Sequence, residues 1–346
     1  MTSQPPADAL PPAGDVPPGA SPPLDSELAG PLRAILAGRP SLTPDLIPAR
    51  RAQGRAARLT DAQIRRDGAF EASERLVPGP PGGPPLSLLI CQPAAARRPC
   101  PVIYNAHGGG MVTGDNRTTE LLGELDRAQA IGAVLVAPDY RLAPEHPDPA
   151  PVQDCYAGLA WVAGHAASLG ADPGLVFVSG NSAGGGLAAG LALLARDRGG
   201  PPLAGQLLQF PMLDDRCDSP SARAMEQVGM WDGRSNRTGW SALLGARRGT
   251  ASVSCYAAPA RAASVAGLPP AFIEVGAVEA LRDEGVRYAS RIWQAGGDAE
   301  LHVWAGAFHS FDEWVPGAVV SGAARQARSA WLRRRVSSVR AGRQRP

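Results

Sequence analysis

The amino-acid sequence predicts an α/β architecture, with a mostly parallel central sheet covered by helices on both faces and an N-terminal helical cap. Three observations carry this reading. Short apolar runs alternate with helix-length segments across residues 86–338, as expected for strands buried on both faces and joined by crossover helices. One run, at 175–180, feeds directly into an Ala/Gly-rich helix at 183–197. With 346 residues, of which 44% are hydrophobic and 19% charged, the chain can build a large core.

In chain order, residues 1–30 carry repeated Pro-Pro pairs and few bulky apolar side chains. Such a segment buries too little surface to offset its ordering entropy, so a flexible Pro-rich tail is expected there. Residues 31–80 are expected to form cap helices. PLRAILAGRP, LTPDLIPARRA and LTDAQIRRD are amphipathic and are broken by Pro40, Pro44 and Pro48, which lack the amide hydrogen a helix interior needs. VPGPPGGPP at 77–85 is a turn-rich boundary. Beyond it, strands are expected at 86–92, 101–107, 133–138, 175–180, 207–212, 271–276 and 301–306. Helices are expected at 117–130, 152–168, 183–197, 282–296 and 321–338, and a flexible basic tail at 339–346.

Composition narrows the function. All 34 basic residues are arginines, set against 32 acids for a net charge of +2, which gives no basis for nucleic-acid binding. No apolar run reaches the roughly 18 residues of a membrane span. The first residues have neither a basic start nor an apolar stretch, so no secretory signal is expected and a cytoplasmic location is. Cys91, Cys100, Cys155, Cys217 and Cys255 form no CxxC pair and read as small hydrophobes in a reducing compartment. No metal or cofactor is expected.

The chemistry concentrates in three segments. Gly180-Asn181-Ser182-Ala183-Gly184 is a G-x-S-x-G set between a strand and a helix. A strained strand-to-helix turn needs small neighbours, and the helix start offers free N–H groups beside the serine. His107-Gly108-Gly109-Gly110 follows another strand, and its unobstructed amides suit the oxyanion of an acyl-transfer intermediate. Of five histidines, His309 lies in a loop just past the last strand, which makes it the general base by elimination. The acid that orients it lies near 274–284. Glu279, just beyond a strand end, is preferred and Asp283 is the alternative. The chain order of serine, acid and histidine is the one α/β-hydrolases use.

The chain resembles the hormone-sensitive-lipase-like branch of the α/β-hydrolases. The resemblance rests on HGGG at 107–110, DYRLAPEHP at 139–147, GNSAGGG at 180–186, PMLDDR at 211–216, VEALRDEG at 278–285 and FHSFD at 308–312. It implies an α/β-hydrolase catalytic domain over 81–338, with oxyanion donors at Gly108, Gly109 and Ala183 and a structural brace pairing Asp139 with Arg141. Met111, Asn181, Met225, Met230, Trp231 and Trp240 are candidate pocket residues. Asn181 stands where relatives commonly carry an acid or threonine, and Ser310 where they carry glycine. The implied activity is a serine carboxylesterase for short- to medium-chain acyl esters, without cofactor. Its partner is a small-molecule ester, and the protein is a monomer or homodimer. An amide, carbamate or natural-product ester hydrolase would use the same triad. A non-catalytic receptor on this fold would have lost the base that is present here.

Overall fold

The structure, a computed structural model, describes residues 21–343. The chain begins with helices α1 (Ser26–Ala37), α2 (Ile47–Ala56) and α3 (Asp61–Arg65), followed by strands β1 (Phe70–Val77), β2 (Leu86–Pro93) and β3 (Cys100–Ala106). Helix α4 (Leu121–Ile131) leads to β4 (Val134–Pro138), α5 (Ala150–Gly164) to β5 (Ala171–Asn181), and α6 (Ala183–Asp197) to β6 (Gly205–Gln209). A long excursion carrying α7 (Pro220–Ala224) and α8 (Gly233–Leu244) precedes β7 (Ala271–Val278). Helix α9 (Arg282–Gln294), strand β8 (Ala299–Phe308), α10 (Phe311–Trp314) and α11 (Val319–Gly342) complete the chain.

The eight strands form one sheet in the order β1-β2-β4-β3-β5-β6-β7-β8. β2 runs antiparallel to both of its neighbours, and every other pairing is parallel. Successive side chains point to opposite faces of a strand, and both faces are apolar here. Val102, Tyr104, Val176, Val178, Leu208 and Ile273 pack into one core with α5 and α6. Their sequence neighbours Ile103, Leu175, Phe177, Leu207 and Phe272 pack into a second core with Leu125 of α4 and Trp331 of α11. Among the described residues no helix is long and apolar enough to cross a membrane.

Three of the differences from the expected boundaries are informative. Residues 1–20 of the expected tail lie outside the described residues, but α1 already begins at Ser26. There the Asp25 carboxylate caps the Glu27 N–H, and Leu28 and Leu32 are buried. Residues 70–77, assigned with the cap helices, form β1. That edge strand buries little besides Phe70 and Val77, so it lacks the apolar run that marks the central strands; polar side chains are the usual protection of an edge. Helix α11 continues to Gly342, past the predicted end at 338.

Candidate active site

The site forms where parallel strands end at their carboxyl edge, the usual place for chemistry in such sheets. Ser182 sits between β5 and α6 with φ 58° and ψ −119°, a backbone conformation rare for a residue with a side chain. Its N–H donates to the Gln209 carbonyl at 2.8 Å, and its carbonyl accepts from the Met212 N–H at 3.0 Å. The flanking glycines are steric requirements. A Cβ on Gly184 would lie 1.9 Å from the Ala106 oxygen, and one on Gly180 would lie 2.2 Å from the Gly184 carbonyl carbon. The two departures from relatives meet each other here: the Ser310 hydroxyl donates to the Asn181 side-chain oxygen at 3.1 Å. The Asn181 amide donates in turn to Glu313 at 2.6 Å.

Two distant segments converge on Ser182. His309 Nε2 lies 3.0 Å from Ser182 Oγ, and His309 Nδ1 lies 2.5 Å from Glu279 Oε2. The other Glu279 oxygen accepts the Gly276 N–H at 2.6 Å. All three side chains are buried. The alternative acid, Asp283, faces elsewhere, accepting the Ser221 N–H and pairing with Arg282. The segment after His309 is anchored from behind by the buried Arg328 of α11, which bonds Glu274 on β7 and Asp312 on α10.

The glycine loop departs from expectation at one position. The Gly108 N–H donates to the Glu120 carboxylate at 2.7 Å, so it is not free for a substrate oxygen. Gly109 (φ +106°) and Gly110 (φ +64°) adopt left-handed conformations, and among the described residues neither N–H has a protein acceptor. Burial pushes the Glu120 carboxyl up to about 8, partly opposed by its bond to Gly108. Sequence reading passed over Glu120, because an acid at the start of a helix carries no local mark of a bond reaching back 12 residues. His107 is structural. It stacks on Tyr140 at 4.2 Å, and its Nδ1 lies 2.8 Å from the Gly108 oxygen. Burial lowers its pKa to about 4, so the ring is neutral at pH 7.

A cleft of about 560 Å³ opens beside Gly108 and Gly109. Met230 and Trp231 line it. Met111, Met225 and Trp240 do not; their side chains are packed in the core. Asn181 is engaged behind the nucleophile rather than exposed in the cleft. The expected Asp139–Arg141 brace is also corrected. Arg141 forms a two-pronged pair with the buried Asp154, at 2.8 and 2.7 Å, because α5 brings that acid under the loop.

This fold, with a serine, an imidazole and a carboxylate in line at its sheet edge, defines a serine hydrolase. Comparison with known proteins agrees. The family described as alpha/beta hydrolase fold matches residues 103–313. Esterase LipI of Mycobacterium tuberculosis is 37% identical over 241 residues, spanning 65% of this chain and 70% of LipI. Carboxylesterase NlhH of the same species is 37% identical over 224 residues, 62% of this chain and 68% of NlhH. Among solved structures, a bacterial heroin esterase superposes with a TM-score of 0.82 at 36% identity, covering 90% of this chain and 98% of the other. The hyperthermophilic esterase from the archaeon Pyrobaculum calidifontis gives 0.79 at 31% identity, covering 90% and 98%. The chain belongs to the hormone-sensitive-lipase-like esterases of the α/β-hydrolase fold and is a carboxylesterase, hydrolysing ester bonds.

Proposed function

We propose that the chain hydrolyses short- to medium-chain acyl esters through Ser182, His309 and Glu279. The observation that supports this most is the continuous hydrogen-bonded line from Ser182 through the ring of His309 to Glu279. In the first half-reaction, neutral His309 takes the Ser182 proton as the oxygen attacks the ester carbonyl. Glu279 holds the ring in position and offsets the charge it gains. The amides of Gly109 and Ala183 receive the oxyanion, and Gly108, beside Ser182, holds the loop through Glu120. His309 then protonates the departing alcohol. In the second half-reaction it activates a water that releases the acid and restores the serine. A cleft of about 560 Å³ walled by Met230, Trp231 and Trp314 suits compact acyl groups better than long lipid chains.

A fluorophosphonate probe should label the wild type and leave Ser182→Ala untouched. Rates on p-nitrophenyl esters of increasing acyl length should peak among the short to medium chains. Labelling that persists in the alanine variant would end this reading.

A further inference from the structure

The cap side of the cleft holds two arginines that form no ion pair among the described residues. Several other arginines of the fold are held in ion pairs. Arg51 holds both oxygens of Glu145 and two backbone carbonyls, Arg117 bridges Asp61 and Glu74, and Arg237 holds Glu226. Arg39, just beyond α1, and Arg50, on α2, form no ion pair among the described residues. The Arg39 guanidinium lies over the Trp314 ring at 5.0 Å, and Arg50 donates one hydrogen bond, to the Pro40 carbonyl at 2.8 Å.

Both side chains line the same cleft as Gly108 and Gly109. Two acids share that lining, Asp232 and Glu120, and neither pairs with Arg39 or Arg50. Asp232 accepts the Ser235 N–H at 2.7 Å and the Ser41 hydroxyl. Glu120 holds the Gly108 N–H, and its raised pKa keeps it mostly protonated at neutral pH. Burial, followed by the like charge of Arg50, pushes Arg39 down to about 10, which still leaves it charged at pH 7. Two cations close enough to feel each other therefore face one partly desolvated space. That arrangement is unfavourable until an anion enters, and guanidinium forks match the oxygens of carboxylates and phosphates.

We propose that Arg39 and Arg50 form an anion subsite, and that the substrate is an ester bearing, away from its scissile bond, a second group ionised at neutral pH, a carboxylate or a phosphate. This rests on the esterase reading. Leu36, Met230 and Trp231 cover the neutral part of such a molecule, while the charged end reaches the arginines.

The test is the ratio of kcat/KM for a charged ester to that for its neutral partner, measured in one enzyme sample so that the amount of folded protein cancels. Mono-p-nitrophenyl adipate against p-nitrophenyl hexanoate places the charge on the acyl side. Methyl p-acetoxybenzoate is the neutral partner of p-acetoxybenzoate and of p-acetoxyphenyl phosphate, which place a carboxylate or a phosphate on the alcohol side. In the wild type at least one ratio should exceed one. It should fall about ten-fold or more in the Arg39→Ala/Arg50→Ala double variant and recover in part in Arg39→Lys/Arg50→Lys. Added salt should lower the wild-type ratio. Wild-type ratios at or below one in every pair, or ratios that the double variant leaves unchanged, overturn the proposal. If the double variant is inactive, a wild-type ratio indifferent to salt overturns it. Hydrolysis of the neutral esters by the wild type but not by Ser182→Ala tests the esterase reading separately.

Discussion

The two walls of the active site are built differently. On the sheet side, each atom of the nucleophile's turn meets a fixed neighbour: backbone at Gly180 and Gly184, the Gln209 carbonyl at the Ser182 N–H, and Glu279 behind His309. On the cap side, α1, α2 and the segment around Trp231 enclose an open volume of about 560 Å³. The sheet wall has one workable arrangement, whereas the cap wall is tied to the core through Leu28, Leu32, Leu42 and Ile47 and leaves its other side chains to face the cleft.

Substitutions can break or sharpen that contrast. The largest effect belongs to Ser182→Ala, which should cut kcat about a million-fold. Glu279→Gln follows, at about ten-thousand-fold, while Asp283→Asn should stay within a few-fold, because Asp283 touches neither His309 nor Ser182. An active Glu279→Gln enzyme paired with a dead Asp283→Asn enzyme would remove Glu279 from the line. Gly184→Ala drives a methyl into the Ala106 carbonyl and should cost about 3 kcal/mol of stability or more, read by denaturant unfolding.

A smaller effect is expected from pH. Glu120 is protonated below its pKa of about 8 and ionises above it, beside Glu124, Arg127, Thr118 and the Gly108 N–H. A new negative charge on this loop opposes the developing oxyanion, so wild-type kcat should decline by about ten-fold as pH rises through 8. Glu120→Gln keeps an acceptor for Gly108 without the charge, and its kcat should stay level over that range. The same group contributes to stability in the same sense. A carboxyl whose pKa is raised on folding favours the fold fully below its unfolded value and loses that contribution as pH climbs through 8. The smallest change comes from the cap side. Trp231→Ala should raise KM several-fold with kcat within about two-fold, because it removes ground-state contact and leaves the triad intact.

What the sequence revealed follows the same division. Ser182 was legible because a strand, a glycine pair and a helix are adjacent in the chain. His309 was legible because four other histidines had poorer placements. The strands of the parallel core announced themselves through burial on both faces. The bond from Gly108 to Glu120, the partnership of Arg141 with Asp154, and the burial of Met111 and Trp240 were not legible, because each depends on which segments fold against each other. Strand β1 escaped for a different reason: its side chains stay largely in solvent, so no apolar run reports it.

The attachment of α1 has a consequence beyond the cleft. β8 is the outermost strand on its side of the sheet, and its side chains are only partly covered along most of its length. The Asp25 N–H bonds the Gly306 carbonyl at 3.0 Å, and α1 packs Leu28 and Leu32 beside Phe308 and Phe311. Gly306 leaves room for this approach, since a Cβ there would lie 2.4 Å from the Asp25 nitrogen. Deleting that first helix to widen substrate access would bare a ready template for strand addition between molecules, and the product would be a clumping protein rather than a more permissive catalyst.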